Sequence, residues 1–279
     1  MSLASRTAAL ATAVSLAVAV SGCQALGIGV ERSLGELRKP AVIKEDNPFE
    51  GSPAEKFGNG ADAIVIPRAR RVGQFSARDV AYAYRVTKKI LMAAYLDRRT
   101  LMAGHPAAYA RALDPEQREI FLKLLDHEDQ EKNSRSWVVS FAKGEAELVG
   151  DVIKVKGSMS ARQGKDEEGN PELWIVYSFR FVYAVRKPGT DKITRVMAYD
   201  KARTEFWRDS PGARLRHWVG DSTEAWYAGV QCKWDGFLHP LYPGEKDTGA
   251  PATGPTMDPF SDDRSNTTSD SECQNVGDV

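Results

Sequence analysis

Residue types able to do chemistry are few in this 279-residue chain, and they are scattered. His217 beside Trp218, with Asp200 and Glu205 in a preceding strand-like run, has the makings of a general acid–base pair. An imidazole and a carboxylate act together only within hydrogen-bond reach, and a structural histidine is the simpler expectation. His127-Glu128-Asp129-Gln130-Glu131 has letters of a zinc site but lacks a second histidine, so it reads as a helix end and solvated loop. Asp258, Asp262, Asp263 and Asn266 make a loose oxygen-rich cluster without EF-hand spacing, expected to be an acidic tail rather than a calcium site. His105-Pro106 and His239-Pro240 read as loop punctuation. The sequence holds no glycine-rich phosphate loop, GxSxG elbow or HExxH pair. No catalytic, cofactor-binding or metal-ligating residue is therefore assigned, and non-enzymatic function is the expectation.

The three cysteines carry the strongest signals. Arg6, an uncharged run from Thr7 to Val20 and small residues before Cys23 form a secretory signal. The run is shorter than the ~20 apolar residues a spanning helix needs. Val20-Ser21-Gly22-Cys23 resembles a bacterial lipobox. That resemblance implies cleavage between Gly22 and Cys23 and transfer of a diacylglyceryl group to the Cys23 thiol. Acyl chains supply about 0.8 kcal/mol per buried CH₂, enough in pairs to hold a protein on a bilayer. The expected location is the outer face of the cytoplasmic membrane. Cys232 and Cys273 remain, and in an oxidising compartment a disulfide between them is expected, with two free thiols as the alternative.

Loss of residues 1–22 removes one base, Arg6, and no acid, leaving 37 bases against 38 acids. Such balance gives no electrostatic case for nucleic acid. The expected partners are the membrane, through the N-terminal lipid, and a protein of the cell envelope. The division read from composition is a signal peptide over 1–22, a flexible stalk over 23–60, a folded domain over 61–242 and a polar tail over 243–279. The disulfide would staple that tail. Arg68 to Arg71 reads as a solvated basic loop.

Elements to position these residues follow from periodicity. Ser76 and Asp79 have capping-box spacing, and Val80, Tyr84, Thr87, Leu91, Tyr95 and Leu101 or Met102 recur at helical intervals. Gly104-His105-Pro106 ends that helix. Asp114-Pro115-Glu116-Gln117 opens a second, with Gln117 reaching back as a cap and Ile120, Phe121, Leu124 and Leu125 as its buried stripe. Strands are expected at Trp137–Phe141, Val152–Met159, Leu173–Arg186, Ile193–Trp207 and Ala225–Cys232. From Leu173 to Val185 every second residue is apolar. Helices followed by hairpin-connected strands predict an α+β fold, with N-terminal helices packed on a curved antiparallel β-sheet.

This order of elements resembles the cystatin-like roll of nuclear transport factor 2 and its relatives. Leu113-Asp114-Pro115-Glu116-Gln117, Ser136-Trp137-Val138, the Ala146–Val152 stretch and the Cys232 segment resemble secreted actinobacterial (streptomycete-like) proteins and lipoproteins, a family that brings no activity with it. The roll hosts enzymes, dimerisation modules and carriers alike. The leading expectation is a non-catalytic envelope lipoprotein, an interaction or structural module. The alternatives are a carrier of a small apolar ligand, and a lyase, isomerase or hydrolase needing Asp200 or His217 to point inward. A closed interior, an open apolar cavity, or a cavity with converging Asp, His and Tyr would separate the three.

Overall fold

Ser76 opens the first helix of the domain as its spacing predicts. Its Oγ accepts from the Asp79 N–H at 3.3 Å, while Asp79 Oδ2 accepts from the Ser76 N–H at 2.9 Å. The computed structural model describes residues 43–233, 235–261 and 273–279, with the segment from Ile43 onward forming one unit. The signal sequence, Gly22, Cys23, and Asp262, Asp263 and Asn266 of the acidic cluster lie outside the described residues.

Helix α1 (Ala77–Tyr95) is shorter than its periodicity suggests. Asp97 caps a new helix by accepting the Thr100 N–H, so the chain turns into α2 (Arg98–Ala103), which closes at Gly104 with φ 63°. A short α3 (Ala107–Ala112), without a capping side chain to announce it, precedes α4 (Pro115–Leu124). Asp114 caps α4 as expected. Gln117 does not reach back as a cap. Its amide instead brackets the Val219 backbone, Nε2 donating to the carbonyl at 2.8 Å and Oε1 accepting the N–H at 2.9 Å. Of the expected stripe only Phe121 is fully buried, because α4 packs on one side alone.

Seven strands among the described residues form one antiparallel sheet. They are β1 (Gly58–Asn59), β2 (Glu147–Leu148), β3 (Lys154–Lys165), β4 (Pro171–Arg186), β5 (Ile193–Trp207), β6 (Arg216–Val219) and β7 (Glu224–Ala228). The order is β1-β3-β4-β5-β6, with β2 beside β4 and β7 beside β5. Strands β4 and β5 pair from Leu173↔Phe206 to Arg186↔Ile193, around the predicted turn at Lys187–Asp191. Two further strands, β8 (Thr253–Met257) and β9 (Gln274–Val276), pair in parallel. The fold is α+β, helices on a curved antiparallel sheet, as the sequence predicts.

Trp137–Phe141 is not a strand. Ser134–Trp137 is a 3-10 turn, and the Val139 and Phe141 N–H groups donate to the Ala94 and Leu101 carbonyls, which lashes the segment to the helices. The apolar alternation of β4 is realised in full. Leu173, Ile175, Tyr177, Phe179, Phe181, Tyr183 and Val185 are all buried beneath α1 with Val80, Ala83, Tyr84 and Leu91.

The opposite face of the sheet is also covered, and this corrects two expectations. Within the predicted stalk, Phe49, Ala54 and Phe57 are buried against Val182, Ala184 and Met197, and β1 joins the sheet edge beside β3. Described parts of the predicted polar tail pack there too, with Phe260, Val276 and Val279 against the same cluster. Arg195 ties the two segments together, donating to the Pro48, Glu50 and Val279 carbonyls at 2.6, 2.9 and 3.0 Å. Composition hides such segments because a few aromatics suffice when a hydrophobic sheet face is waiting for them. Cys232 and Cys273 lie at disulfide distance, their Cα atoms 5.9 Å apart, as expected.

Candidate functional site: a cleft around Asp200

Even-numbered residues of β5 share the helix-covered face with the apolar row of β4, because Asp200 stands opposite Phe179 and Ala198 opposite Phe181. One carboxylate is thereby directed into otherwise apolar territory. Asp200 is 4% exposed. Its Oδ2 accepts the Tyr95 hydroxyl at 2.8 Å and its Oδ1 accepts the Ser222 hydroxyl at 2.6 Å. The Tyr177 hydroxyl also reaches it. Tyr95 is set by packing rather than by chance: its ring stacks on Phe181 at 4.3 Å and 3°, and its carbonyl accepts the Tyr183 hydroxyl.

These groups line a cleft of about 740 Å³ that also takes in residues of β7. Trp137, Trp218 and Tyr227 contribute aromatic walls and Ile90 and Ile120 aliphatic ones, and Cys232 and Cys273 line it too. A concave, mostly apolar pocket with a few convergent polar groups is the usual form of a small-molecule site.

Burial raises the Asp200 carboxyl above its ordinary value, and the hydrogen bonds from Ser222, Tyr95 and Tyr177 only partly offset it. Burial also drives the Tyr95 and Tyr177 hydroxyls well above their usual range, with the neighbouring Asp200 adding to it. Tyr227 is pushed up to about 12 for the same two reasons. The tyrosines are neutral donors at any physiological pH, and the carboxyl is the one group of this cluster poised to change charge. A folded-state value above the unfolded one means the native state holds the proton more tightly. Asp200 therefore contributes stability below its unfolded value and loses it as pH rises through the raised one. Thermal melts of Asp200→Asn and the parent between pH 4 and 8 should show the variant gaining on the parent as pH rises. A difference that ignores pH contradicts the raised carboxyl.

Other predicted chemistry is not assembled. His217 lies six residues further along, opposite Phe206, with Nε2 2.9 Å from the Ala112 carbonyl. Burial lowers its pKa, so it is a neutral structural histidine. Glu205 is on the other face, accepting from Arg203 at 2.6 Å. His127 accepts the Asp129 N–H within its own loop. No group of His, Cys, Asp and Glu fit to hold a metal is found among the described residues. His239 is more than loop punctuation: its Nδ1 and Nε2 stand 2.9 and 2.8 Å from Glu145 and Asp235, clamping the cleft wall at Leu238 to the 142–145 turn.

Tyr95 and Tyr177 read in sequence as core residues at regular spacing. The signal was their hydroxyls, since a buried tyrosine needs a partner that phenylalanine does not. Ser222 carries no sequence signal at all. Comparison with known proteins returned no matching family, no similar curated protein and no solved structure.

Proposed function

We propose that the protein is a membrane-anchored extracytoplasmic lipoprotein whose roll-like domain binds a small molecule in the Asp200 cleft. One observation carries the binding reading: a buried carboxylate, held by Tyr95 and Ser222, lining an aromatic cleft. A carboxylate in that setting costs free energy that ordinary packing would avoid, and perturbed acids in clefts mark functional sites. The apolar row of β4 is filled by α1, so the ligand space lies beside the core rather than inside it. Anchoring rests on the Val20-Ser21-Gly22-Cys23 signal, and the resemblance to secreted actinobacterial lipoproteins agrees with it.

Two measurements test the proposal. Cys23→Ala should release the protein from the membrane fraction after a salt wash; retention removes the anchor. A small-molecule screen read by melting temperature should find ligands whose stabilisation grows with concentration as RT ln(1 + [L]/Kd), and Trp218→Ala should weaken them. Hits indifferent to Trp218 and Asp200 would place binding elsewhere. A roll-type enzyme is the second reading, favoured by the raised Asp200 carboxyl next to two tyrosine hydroxyls. It requires that a bound ligand be converted, and that Asp200→Asn stop conversion without stopping binding.

A further inference from the structure

Immediately around Asp200 the donors are already committed and acceptors are left over. The hydroxyl protons of Tyr95 and Ser222 both point at Asp200. The Gln117 amide is committed to the Val219 backbone. Asn133 is committed as well, its Oδ1 accepting the Asp126 and Arg135 N–H groups and its Nδ2 donating to Gln130. At Asp200 itself, lone pairs on the Tyr95 and Ser222 oxygens and on the carboxylate are what a ligand meets.

Charge points the same way. Among the described residues lining the cleft the acids are Asp200, Asp221, Glu224 and Asp247, against Lys233 as the single base. Glu224 is within 3.4 Å of Lys201, and Asp221 is exposed at the rim. An anion entering this space meets carboxylates in a poorly screened setting. A neutral ligand gives an ionised Asp200 no counter-charge, so beside it burial favours the protonated carboxyl. A cation supplies the missing partner, and aromatic rings, of which Tyr177, Tyr227, Trp137 and Trp218 line the cleft, attract positive charge through their quadrupoles.

We propose that the cleft takes an organic cation, an amine or quaternary ammonium on an apolar body, with its nitrogen at Asp200. This rests on the small-molecule reading above and names the class of ligand. Binding drives Asp200 into its ionised form, so a proton is released on binding wherever the free site holds one, and affinity rises with pH through the acid range.

The test uses the full chain and a matched pair of probes, 2-phenylethylammonium and 2-phenylethanol, with benzyltrimethylammonium as the quaternary case, titrated by calorimetry and tryptophan fluorescence. The expected result is at least about ten-fold tighter binding of the two cations than of the alcohol. Asp200→Asn, checked for folding by circular dichroism, should remove that preference. Equal or tighter binding of the alcohol overturns the cation inference and leaves the small-molecule reading standing. Cation preference that survives Asp200→Asn also overturns it. Failure of all three probes to bind at millimolar concentration counts against both.

Discussion

Cys232→Ser with Cys273→Ser should lower the melting temperature by roughly 8–16 °C, with the sheet and helices still formed. The bond spans 41 residues of sequence. On the chain-entropy account, closing a loop of that length removes about 4 kcal/mol of freedom from the unfolded chain. A domain of this size shifts by roughly 2–4 °C per kcal/mol. Beside the bond, the end of the chain is held by Arg195, which donates to the Val279 carbonyl, and by short-range pairing. Residues Gln274–Val276 pair with Thr253–Met257, and Val276 and Val279 add a small apolar contact to the outer face of the sheet. Cys232 and Cys273 also line the cleft, so the serine pair should weaken ligand binding as well as stability. Melting curves of the parent with and without reductant, beside those of the variant, check this. Coincident curves, together with two titratable thiols in the untreated protein, would mean the sulfurs are not joined.

Phe181→Ala should cost about 3–5 kcal/mol. Phe181 is fully buried at the centre of β4, with Phe179 and Tyr183 as neighbours in the same apolar row. Truncation leaves a cavity that the sheet cannot close, because its backbone is paired to β3 and β5 on both sides. The effect reaches the cleft, since Phe181 is the plate on which Tyr95 stacks and Tyr95 is what holds Asp200 Oδ2. Denaturant unfolding should show a lower midpoint with an unchanged slope. Phe181→Leu, which keeps most of the volume, should cost less than about 1.5 kcal/mol. An equal loss in the two variants would argue that shape at this position is not what matters.

Local signals in the chain settled some of the elements and left their assembly open. Ser76 with Asp79, and Asp114 before Pro115, announce helix starts because a cap is a contact between near neighbours. The alternation from Leu173 to Val185 marks one sheet face because strand geometry alone puts every second side chain on the same side. Cys232 and Cys273 could be paired on arithmetic. The remainder needed contacts between residues far apart in sequence. Phe49, Phe57 and Phe260 belong to polar stretches, and only the exposed outer face of β4 and β5 turns them into core. Gln117 looked like a cap until Val219, 102 residues away, came within reach of its amide. Asp200 and His217 share a face but stand six positions apart, a separation that the hairpin register decides and spacing in sequence does not. The cleft site itself depends on long-range assembly, since Asp200 on β5, Tyr95 at the end of α1 and Ser222 between β6 and β7 meet only in the folded chain. Sequence by itself determined the capped helix starts at Ser76 and Asp114 and the two long strands β4 and β5, since those depend on neighbours along the chain. Only the tertiary structure decided where a carboxylate would be stranded among aromatic rings, because burial belongs to the packed whole.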